Sequence, residues 1–572
     1  MKRLTFVFAC ICLFLVAGHA KAVQIGTPLN FTVDPSFDIS GRTEMNAVLV
    51  KEADRIYFYL DKIWWDSLNP MRQSEVLNSL STLDVEFENT IYPKLTSAYG
   101  SEWSPGVDGD PKITILVQQM KEGSAGYFRE ADEHLKIQIP DSNEREMVYL
   151  ASQFIETPLE KSLLAHEFTH VITFNQKNRI RHVVEDTWLN EARAEYASTL
   201  LGYNSVLQGS VLQTRINAFL QDPTTPLVEW KGRKQDYGIV SLFVHYLVDH
   251  YGAGILIDSL HSDKVGIPSL NEALRKNGFS DVDFSKIFTD WSIAVFLNDC
   301  QYGKAYCYLN QNLTDIKLTA NTNFLPFTGK STLSVEHATK NWTGNWLRFI
   351  GGQGALEFSF TGLKGLNYRV PYFIQDKDKK YTVNFLTLDD NQKGKLFVSH
   401  FGTENKAFIA IPSLQTRTTG FEGNEPTYPL LFTVSILERT PEEEQALITK
   451  LVLQVDLLQK EIAKIQAQIK ALRPGSGQAV VFPESCVPFA KDLVLWTSEH
   501  IDVYCLQKLL AGQGSDIYPE GLITGNFGPF TQQAVIRFQE KYASEILSPL
   551  GLQKGNGFVG AKTRAKLNQF LK

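Results

Sequence analysis

The residues best suited to chemistry in this 572-residue chain are two histidines and a glutamate within the apolar run KSLLAHEFTHVITF. On a helix, residues four apart lie on the same face, so His166 and His170 can direct both imidazoles at one Zn²⁺ ion. Glu167 then lies beside that ion, where it can take a proton from water and pass it to a leaving amine. The pattern therefore predicts a zinc site that hydrolyses peptide bonds.

A second segment that could complete this site is WLNEARAEYAS, which is compatible with a helix and carries Glu191 and, one turn later, Glu195. Two histidines and one carboxylate leave zinc an open position for water, as a catalytic site requires. Glu195 is suited to accept the free N–H of a liganding histidine and so fix its tautomer. The alternative is an ordinary buried helix beside a solvated acidic one.

At these residues the chain resembles the gluzincin metallopeptidases, in which HExxH is completed by a Glu from a downstream NExxxE or NEGxxE helix. The resemblance implies a single catalytic Zn²⁺ with ligands His166, His170 and Glu191, general base Glu167 and supporting carboxylate Glu195. Ala192 stands where many members have Gly, as it does in some gluzincin families. The GxMEN segment with which zinc aminopeptidases hold a free N-terminus is absent from the sequence, which favours an endopeptidase.

An aromatic candidate for the same site lies at the start of the helix-compatible segment KQDYGIVSLFVHYLVDHYG. Gluzincin relatives often carry a Tyr or His on a helix after the glutamate ligand, where it stabilises the oxyanion formed during attack. The resemblance makes Tyr237 the candidate for this role, and the alternative is a packing aromatic. His245, on the same segment, is expected to be a packed histidine.

The scaffold that must position these residues is predicted to span 23–312. This region mixes strand-like runs with amphipathic helices, which predicts an α+β domain. The gluzincin resemblance implies that this domain is a zincin-like catalytic domain. KITILVQ (112–118) and LKIQIP (135–140) are predicted strands. We expect one of them to form a sheet edge with which an extended substrate pairs through its backbone, and the alternative is that they are core strands.

The pattern changes twice after the catalytic region. Residues 313–439 form short alternating runs separated by Gly, Asn and Asp, which predicts a β-sandwich domain. A helix then begins at TPEE, a capping box with Pro in the first turn, and is predicted to span 440–473. From Ile448 to Leu472 its apolar residues recur at spacings of three and four. This coiled-coil pattern predicts either a homodimer or a helix folded back on its own β-domain, and a linker follows at 474–484.

The C-terminal region, 485–572, contains an internal repeat with an offset of 32 residues. The repeated positions are Leu506-Gln507 with Phe538-Gln539, Gly528 with Gly560, and Thr531 with Thr563. Such a repeat predicts two related helical units. The segments GLITGNFGPFTQQAVIRFQEKY and GNGFVGAKTRAKLN resemble the peptidoglycan-binding domain of the three-helix type. The resemblance implies peptidoglycan as a partner and structural roles for the repeated Gly and Thr; a helical protein-docking module is the alternative.

The N-terminal residues and the cysteines indicate the cellular compartment, and the net charge indicates which partners are excluded. Residues 1–22 combine Lys2 and Arg3 with an apolar core and small residues, which predicts a secretory signal. No later run approaches the length of a membrane span. The four remaining cysteines form two local pairs, which predicts the disulfides Cys300–Cys307 and Cys486–Cys505 rather than a metal knuckle. A net charge of -7 gives no basic footprint for nucleic acid.

Together these features predict a secreted, bacterial, zinc-dependent endopeptidase that acts on proteins or peptides and is held at the cell wall by its C-terminal domain. Two alternatives stay open. One is a wall-bound adhesin or scaffold with an inactive peptidase-like domain, against which the presence of Glu167 argues, because a scaffold needs no acid–base carboxylate beside a metal. The other is a peptidase that cuts the stem peptides of peptidoglycan.

Overall fold

The computed structural model describes residues 24–327, 329–421, 423–437, 454–455, 457–465, 485–498 and 500–571. The chain forms two compact units, Met1–Thr449 and Lys450–Lys572. The predicted signal sequence, 1–22, and the predicted linker, 474–484, lie outside the described residues. The presence of both helical and β-sheet regions confirms the predicted mixed, multidomain organisation.

The first unit begins with a six-stranded sheet. Its strands are β1 (Pro28–Thr32), β2 (Glu44–Glu52), β3 (Ile56–Asp61), β4 (Ile113–Gln118), β5 (Gly126–Phe128) and β6 (Met147–Ala151). The spatial order is β1-β2-β3-β4-β6-β5, in which β3, β4 and β6 are parallel and the outer strands are antiparallel. Every residue of β4 and β6 is buried, as expected for central parallel strands. The run predicted at 112–118 is therefore a strand, but not an edge strand.

The edge of the sheet next to β6 is the three-residue strand β5. The N–H of Ala151 donates to the carbonyl oxygen of Ala125 at 3.0 Å. Bonded and non-bonded pairs alternate along an antiparallel ladder, so Gly126 and Phe128, opposite Leu150 and Val148, direct their backbone N–H and C=O groups to the free side. This backbone can accept an added strand.

The expectation that residues 135–140 form a strand is wrong. This segment forms turns, in which the N–H groups of Gln138 and Ile139 donate to the carbonyl oxygen of Leu135. Leu135 is 46% exposed and Ile137 is 90% exposed. The alternation of apolar residues therefore does not mark a buried sheet face, and the strand prediction failed for that reason.

Helices cover the sheet and form most of the remaining core. They are α1 (Lys62–Ser67), α2 (Pro70–Glu86), α3 (Tyr92–Tyr99), α4 (Glu160–Thr173), α5 (Thr187–Leu200), α6 (Val211–Gln221), α7 (Lys234–Tyr251), α8 (Gly254–Leu260), α9 (Gly266–Lys276) and α10 (Phe284–Leu297). Helix α4 packs against α5, and α7 packs against both α5 and α6. One face of α4 is anchored by Phe168, whose ring contacts those of Phe87 and Tyr92. The opposite face is thereby turned towards α5.

The second half of the first unit is all-β. Its strands are β7 (Asn321–Leu325), β8 (Ser331–Thr339), β9 (Leu347–Gly351), β10 (Gly354–Thr361), β11 (Tyr368–Arg369), β12 (Pro371–Asp376), β13 (Tyr381–Phe385), β14 (Lys393–Phe401), β15 (Asn405–Ala410), β16 (Ser413–Leu414) and β17 (Tyr428–Leu437). One antiparallel layer is β8-β17-β10-β14 and the other is β13-β12-β15-β9, extended by β7. Rings from the two layers meet in one core, because Phe349 lies 5.6 Å from Phe432 and Phe358 lies 4.9 Å from Phe408 between ring centroids.

The helical and β-regions of the first unit share a hydrophobic core. Trp342 is 1% exposed and packs against Phe284 and Phe288 of α10, with ring centroids 4.7 and 5.5 Å apart. Its indole N–H donates to the carbonyl oxygen of Arg417 at 2.6 Å, which ties the ring to the β-region. A buried aromatic of this size that serves both regions joins them into one unit.

The second unit contains the C-terminal helices α11 (Ile501–Gly512), α12 (Pro529–Lys541), α13 (Ala543–Ile546) and α14 (Ala561–Asn568). The 32-residue repeat corresponds to a repeated contact. Gln507 accepts the N–H groups of Thr524 and Gly525, and Gln539 accepts those of Asn556 and Gly557. The amide N–H groups of the two glutamines donate to the hydroxyls of Thr531 and Thr563, respectively. The repeated Gln and Thr side chains therefore hold the loop that precedes each helix.

Both predicted disulfides are confirmed. Cys300 and Cys307 are bonded with a Cα–Cα distance of 5.1 Å, and Cys486 and Cys505 with one of 5.6 Å. Within the part of the chain that the structure describes, no single helix is both long and apolar enough to cross a membrane. Helices α7 and α8 reach that length and apolarity only if taken together, and they meet at a bend of 111°.

The predicted coiled-coil helix, 440–473, lies mostly outside the described residues. The described part, 454–455 and 457–465, is helical. Within it, the predicted seam residues Val455, Leu458, Ile462 and Ile465 are all at least half exposed. The homodimer stays a prediction.

Candidate metal centre

The three predicted metal ligands come together where α4 meets α5. His166 Nε2 lies 3.2 Å from His170 Nε2 and 3.2 Å from Glu191 Oε2, and His170 Nε2 lies 3.7 Å from the same oxygen. The histidines are four residues apart on α4, so helical geometry places both imidazoles on one face. Among the described residues, this is the one group of three such side chains whose ligand atoms all lie within 4.8 Å of one another.

The outer nitrogen of each histidine contacts an acceptor, which determines where the ring proton lies. His166 Nδ1 is 3.4 Å from Glu195 Oε1, and His170 Nδ1 is 3.0 Å from Asn190 Oδ1. Carboxylate and amide oxygens accept hydrogen bonds but do not donate them, so each Nδ1 carries the hydrogen. In the neutral imidazoles both Nε2 atoms then hold lone pairs, and these face each other.

When both imidazoles are neutral, as metal binding requires, no hydrogen lies between the three inner atoms. Glu191 Oε2 is buried and lies 3.2 Å from His166 Nε2, where it faces either a proton on that nitrogen or a cation in its place. Buried acceptors in contact are unfavourable unless a cation lies between them. Zinc ligands at roughly 2.0–2.1 Å from the metal are about 3.3 Å from one another in a tetrahedron, which is close to the separations here. The donor set therefore fits one zinc ion.

The acidic surroundings favour positive charge at this position. Burial disfavours a charged imidazole, but contacts with Glu191 and Glu195 outweigh burial and raise the pKa of His166 to about 10. Burial lowers the pKa of His170. A proton and a metal ion therefore compete for His166, and metal binding would release the proton.

Glu167 lies beside the ligand cluster. It lines a cavity of about 160 Å³ together with His166, Glu195 and Tyr237. Burial raises the pKa of Glu167 to about 8, and a cation next to it would lower that pKa. The backbone of β5 approaches this carboxylate so closely that a Cβ on Gly126 would lie 2.8 Å from Glu167 Oε1. The edge strand, the carboxylate and the metal-ligand cluster are therefore adjacent.

Arg215 of α6 neutralises Glu195. Its Nε and Nη2 donate to the two carboxylate oxygens at 2.8 and 2.7 Å. Burial opposes the ionisation of Glu195, but Arg215 and His166 together lower its pKa to about 2. Glu195 therefore remains charged and holds the N–H of His166 in place.

Tyr237 lies in the first turn of α7 and lines the same cavity. Its ring centroid lies 4.5 Å from the guanidinium carbon of Arg215, 4.7 Å from the ring of Trp230 and 6.2 Å from that of His166. Burial raises the pKa of Tyr237, and the nearby carboxylates of Glu191 and Glu167 raise it further. Its hydroxyl therefore keeps its proton and can donate a hydrogen bond. By contrast, His245 is fully buried and contacts Thr199 and Ser241.

Three features of the site were not anticipated from the sequence. Asn190 immediately precedes Glu191, so the motif itself offered a signal for a second contact to the histidines. Arg215 lies 20 positions beyond Glu195 on another helix, and β5 is only three residues long. Neither Arg215 nor β5 belongs to a local sequence pattern that indicates its role in the site.

The C-terminal region matches a known family. Residues 499–567 match the family described as "Putative peptidoglycan binding domain". This match confirms the predicted peptidoglycan-binding-like domain over most of 485–572. No curated protein matches the chain.

Three solved structures are similar to about a fifth of the chain. PliG of Aeromonas hydrophila, a periplasmic inhibitor of g-type lysozyme, is 11% identical with a TM-score of 0.14, and the match covers 21% of this chain and 100% of PliG. CorA, a surface-associated copper-binding protein of Methylomicrobium album BG8, is 12% identical with a TM-score of 0.14, over 21% and 98%. The pre-peptidase C-terminal domain of Bacillus anthracis collagenase is 6% identical with a TM-score of 0.13, over 20% and 94%. These scores are too low to indicate a shared overall fold.

The pairing of Arg215 with Glu195 generates a stability prediction. Arg215→Met leaves a buried carboxylate without its cation, so we expect the free energy of unfolding of the first unit to fall by about 3–5 kcal/mol. The double variant Arg215→Met/Glu195→Gln removes the stranded charge and is expected to recover part of this loss. Denaturant unfolding followed by circular dichroism measures both.

Lys377→Met serves as the control, because Lys377 forms an exposed ion pair with Glu404 and its loss should leave stability unchanged within error. An Arg215→Met variant as stable as the wild type would show that Arg215 does not neutralise Glu195.

Proposed function

We propose that the chain is a secreted zinc-dependent endopeptidase held at the cell wall by its C-terminal domain. The observation that carries the proposal is the cluster of His166, His170 and Glu191, whose inner atoms lie within 3.7 Å of one another and would all be satisfied by a single cation. Glu167 beside this cluster provides the acid–base group that a merely structural metal site does not need. The absence of a GxMEN sequence favours internal cleavage over removal of N-terminal residues.

The chemistry of the proposed reaction is divided between the metal and the chain. A zinc ion held by the three ligands would polarise the substrate carbonyl and lower the pKa of water to about 7. Glu167 accepts the proton of the attacking water and delivers it to the departing amine. Asn190 and Glu195 hold the two imidazoles in the tautomer that turns Nε2 inward.

We assign to Tyr237 the stabilisation of the charge that develops on the carbonyl oxygen. Tyr237 lines the same cavity as His166 and Glu167, and its hydroxyl keeps its proton. The rings and charges around it, Trp230 and Arg215, restrict its orientation. A donor that is already oriented towards the developing charge stabilises the transition state without reorganising.

The proposed binding mode for the substrate uses the edge strand. The free backbone groups of Gly126 and Phe128 on β5 allow an extended peptide to pair as an additional strand. Gly126 also brings this strand against Glu167. A peptide bond carried by the added strand would thus lie next to the general base, consistent with cleavage within a chain.

The wall association rests on the family match at residues 499–567. Disulfides in both units, Cys300–Cys307 and Cys486–Cys505, are consistent with an oxidising, extracellular location. The same family match supports a second candidate function, in which the enzyme cuts the stem peptides of peptidoglycan rather than other proteins.

The role of Glu167 is tested by Glu167→Gln. The amide cannot accept a proton, so peptide cleavage should fall by about 10²–10⁴-fold while stoichiometric zinc binding is retained. New termini after incubation with a protein mixture, together with metal content, provide the measurement. Glu160→Gln, on the first turn of the same helix, should cleave like the wild type. Equal cleavage by the Glu167→Gln and wild-type proteins excludes Glu167 as the base.

The role of Tyr237 is tested by Tyr237→Phe, which removes one hydroxyl and keeps the ring. We expect kcat to fall by about 10²-fold with little change in KM, because the hydroxyl acts mainly in the transition state. Tyr246→Phe is the matched control, since the hydroxyl of Tyr246, on the same helix, donates instead to the carbonyl oxygen of Ala305. An unchanged kcat for Tyr237→Phe would assign the ring to packing only.

The wall association is tested by co-sedimentation with purified peptidoglycan. The full chain should sediment with the wall, and a chain that ends at residue 484 should remain in solution while cleaving proteins at the wild-type rate. Release of stem-peptide fragments by the wild type but not by Glu167→Gln would identify the wall as substrate. Failure of the full chain to sediment would contradict the anchoring role.

A further inference from the structure

A pair of buried glutamates, Glu133 and Glu146, lies outside the metal centre. Glu133, at the end of the 3₁₀ turn Glu130–Glu133, is 1% exposed, and neither of its carboxylate oxygens has a hydrogen-bond partner. Glu146, which precedes β6, is 2% exposed. Its Oε1 accepts the N–H of Val107 at 2.7 Å, but its Oε2 has no partner. The two carboxyl groups are close enough for each to shift the pKa of the other.

Two buried carboxylates in contact must be neutralised. Burial and the mutual contact raise the pKa of Glu133, and burial raises the pKa of Glu146 to about 7. Neighbouring Asp132 adds negative charge and does not supply a hydrogen-bond donor. Its carboxylate oxygens accept hydrogen bonds from Arg129, Asn143 and Tyr149. The pair must therefore hold either a shared proton or a cation.

Arg179 is the cationic group near this pair, but neither oxygen of Glu133 accepts a hydrogen bond from it. Arg179 lowers the pKa of Glu133 through its charge. Its guanidinium carbon lies 3.0 Å from the ring centroid of Trp103. Arg179 and Trp103 line a cavity of about 520 Å³ that Glu133 also borders. This cavity has room for water molecules as further oxygen ligands.

The backbone at Gly106 packs closely against the Glu146 carboxylate. Gly106 has a φ of +89°, and a Cβ there would lie 1.7 Å from Glu146 Oε2. Only glycine permits this approach, since any side chain would occupy the position of the carboxylate. The carboxylate is thus enclosed on one side by backbone and faces Glu133 on the other.

We propose that Glu133 and Glu146 bind a Ca²⁺ ion. Both side chains offer only oxygen atoms, which are the ligands of hard cations, whereas zinc prefers nitrogen and sulfur. Ca²⁺ tolerates irregular coordination by carboxylates, backbone carbonyls and water, whereas Mg²⁺ requires a near-ideal octahedron. Three converging segments, around residues 106, 133 and 146, provide such an irregular site.

The position of this site connects it to the edge strand. Residues 129–146 form the connection between β5 and β6, and Glu133 and Glu146 lie on the two arms of that connection. His134 packs against Phe174 with ring centroids 5.7 Å apart, and Phe174 lies 6.1 Å from Phe128 of β5. A bound Ca²⁺ would hold the two arms together and so fix β5. Any effect on cleavage rests on the proposed function, but binding and stability do not.

Calcium titration of the full chain tests the site. We expect one Ca²⁺ per chain by isothermal calorimetry and a rise in Tm of about 2–4 °C in about 5 mM CaCl₂. Glu133→Gln and Glu146→Gln should each abolish both effects. Glu130→Gln, on the same 3₁₀ turn but exposed and bonded to Asn178, should respond like the wild type. His166→Ala should also keep the calcium response, which separates this site from the metal centre.

Terbium provides a second measurement that does not depend on the glutamate variants folding. Tb³⁺ bound between Glu133 and Glu146 should be sensitised by Trp103 and displaced by Ca²⁺, and Trp103→Phe should lose that luminescence while keeping the calcium-dependent rise in Tm. A wild-type chain whose Tm does not change with Ca²⁺ would overturn the proposal and assign a shared proton to the pair. A calcium response that survives both glutamate substitutions would overturn it as well.

Discussion

The candidate site depends on the close approach of three metal-ligating side chains, His166, His170 and Glu191. When both imidazoles are neutral, the inner atoms of His166, His170 and Glu191 are all acceptors, because each Nδ1 hydrogen is directed outward to Asn190 or Glu195. This arrangement costs free energy unless His166 takes up a proton or a cation binds. Its persistence requires that the surrounding helices define the positions of all five side chains, which the buried packing of α4 against α5 does.

The β-region contributes to that rigidity. Glu229, which is 2% exposed, accepts the N–H of Glu425 at 2.8 Å and pairs with Lys340, and both partners belong to the β-region. Trp230 is the next residue and contacts Tyr237. The β-region therefore fixes the segment that leads into α7 and, through it, one wall of the cavity. The shared core around Trp342 explains why the two regions form one unit.

The C-terminal unit shows how a short repeat can be structural and still accompany a binding function. Each copy uses a buried glutamine to hold the loop before a helix, so the repeat records a folding requirement rather than two ligand sites. The match to a peptidoglycan-binding family therefore indicates the partner but not the residues that touch it.

Short-range spacing in the sequence was enough to predict several features of this protein. Histidines four apart, a glutamate beside them, cysteines close in the chain and a 32-residue repeat are all short-range patterns, and the disulfides and the C-terminal domain followed from them. The strand predicted at 135–140 failed because its alternation was not caused by burial. Only the tertiary structure could bring Arg215 to Glu195, Gly126 to Glu167 and Glu133 to Glu146, because these contacts depend on packing between segments whose separation along the chain carries no periodic signal.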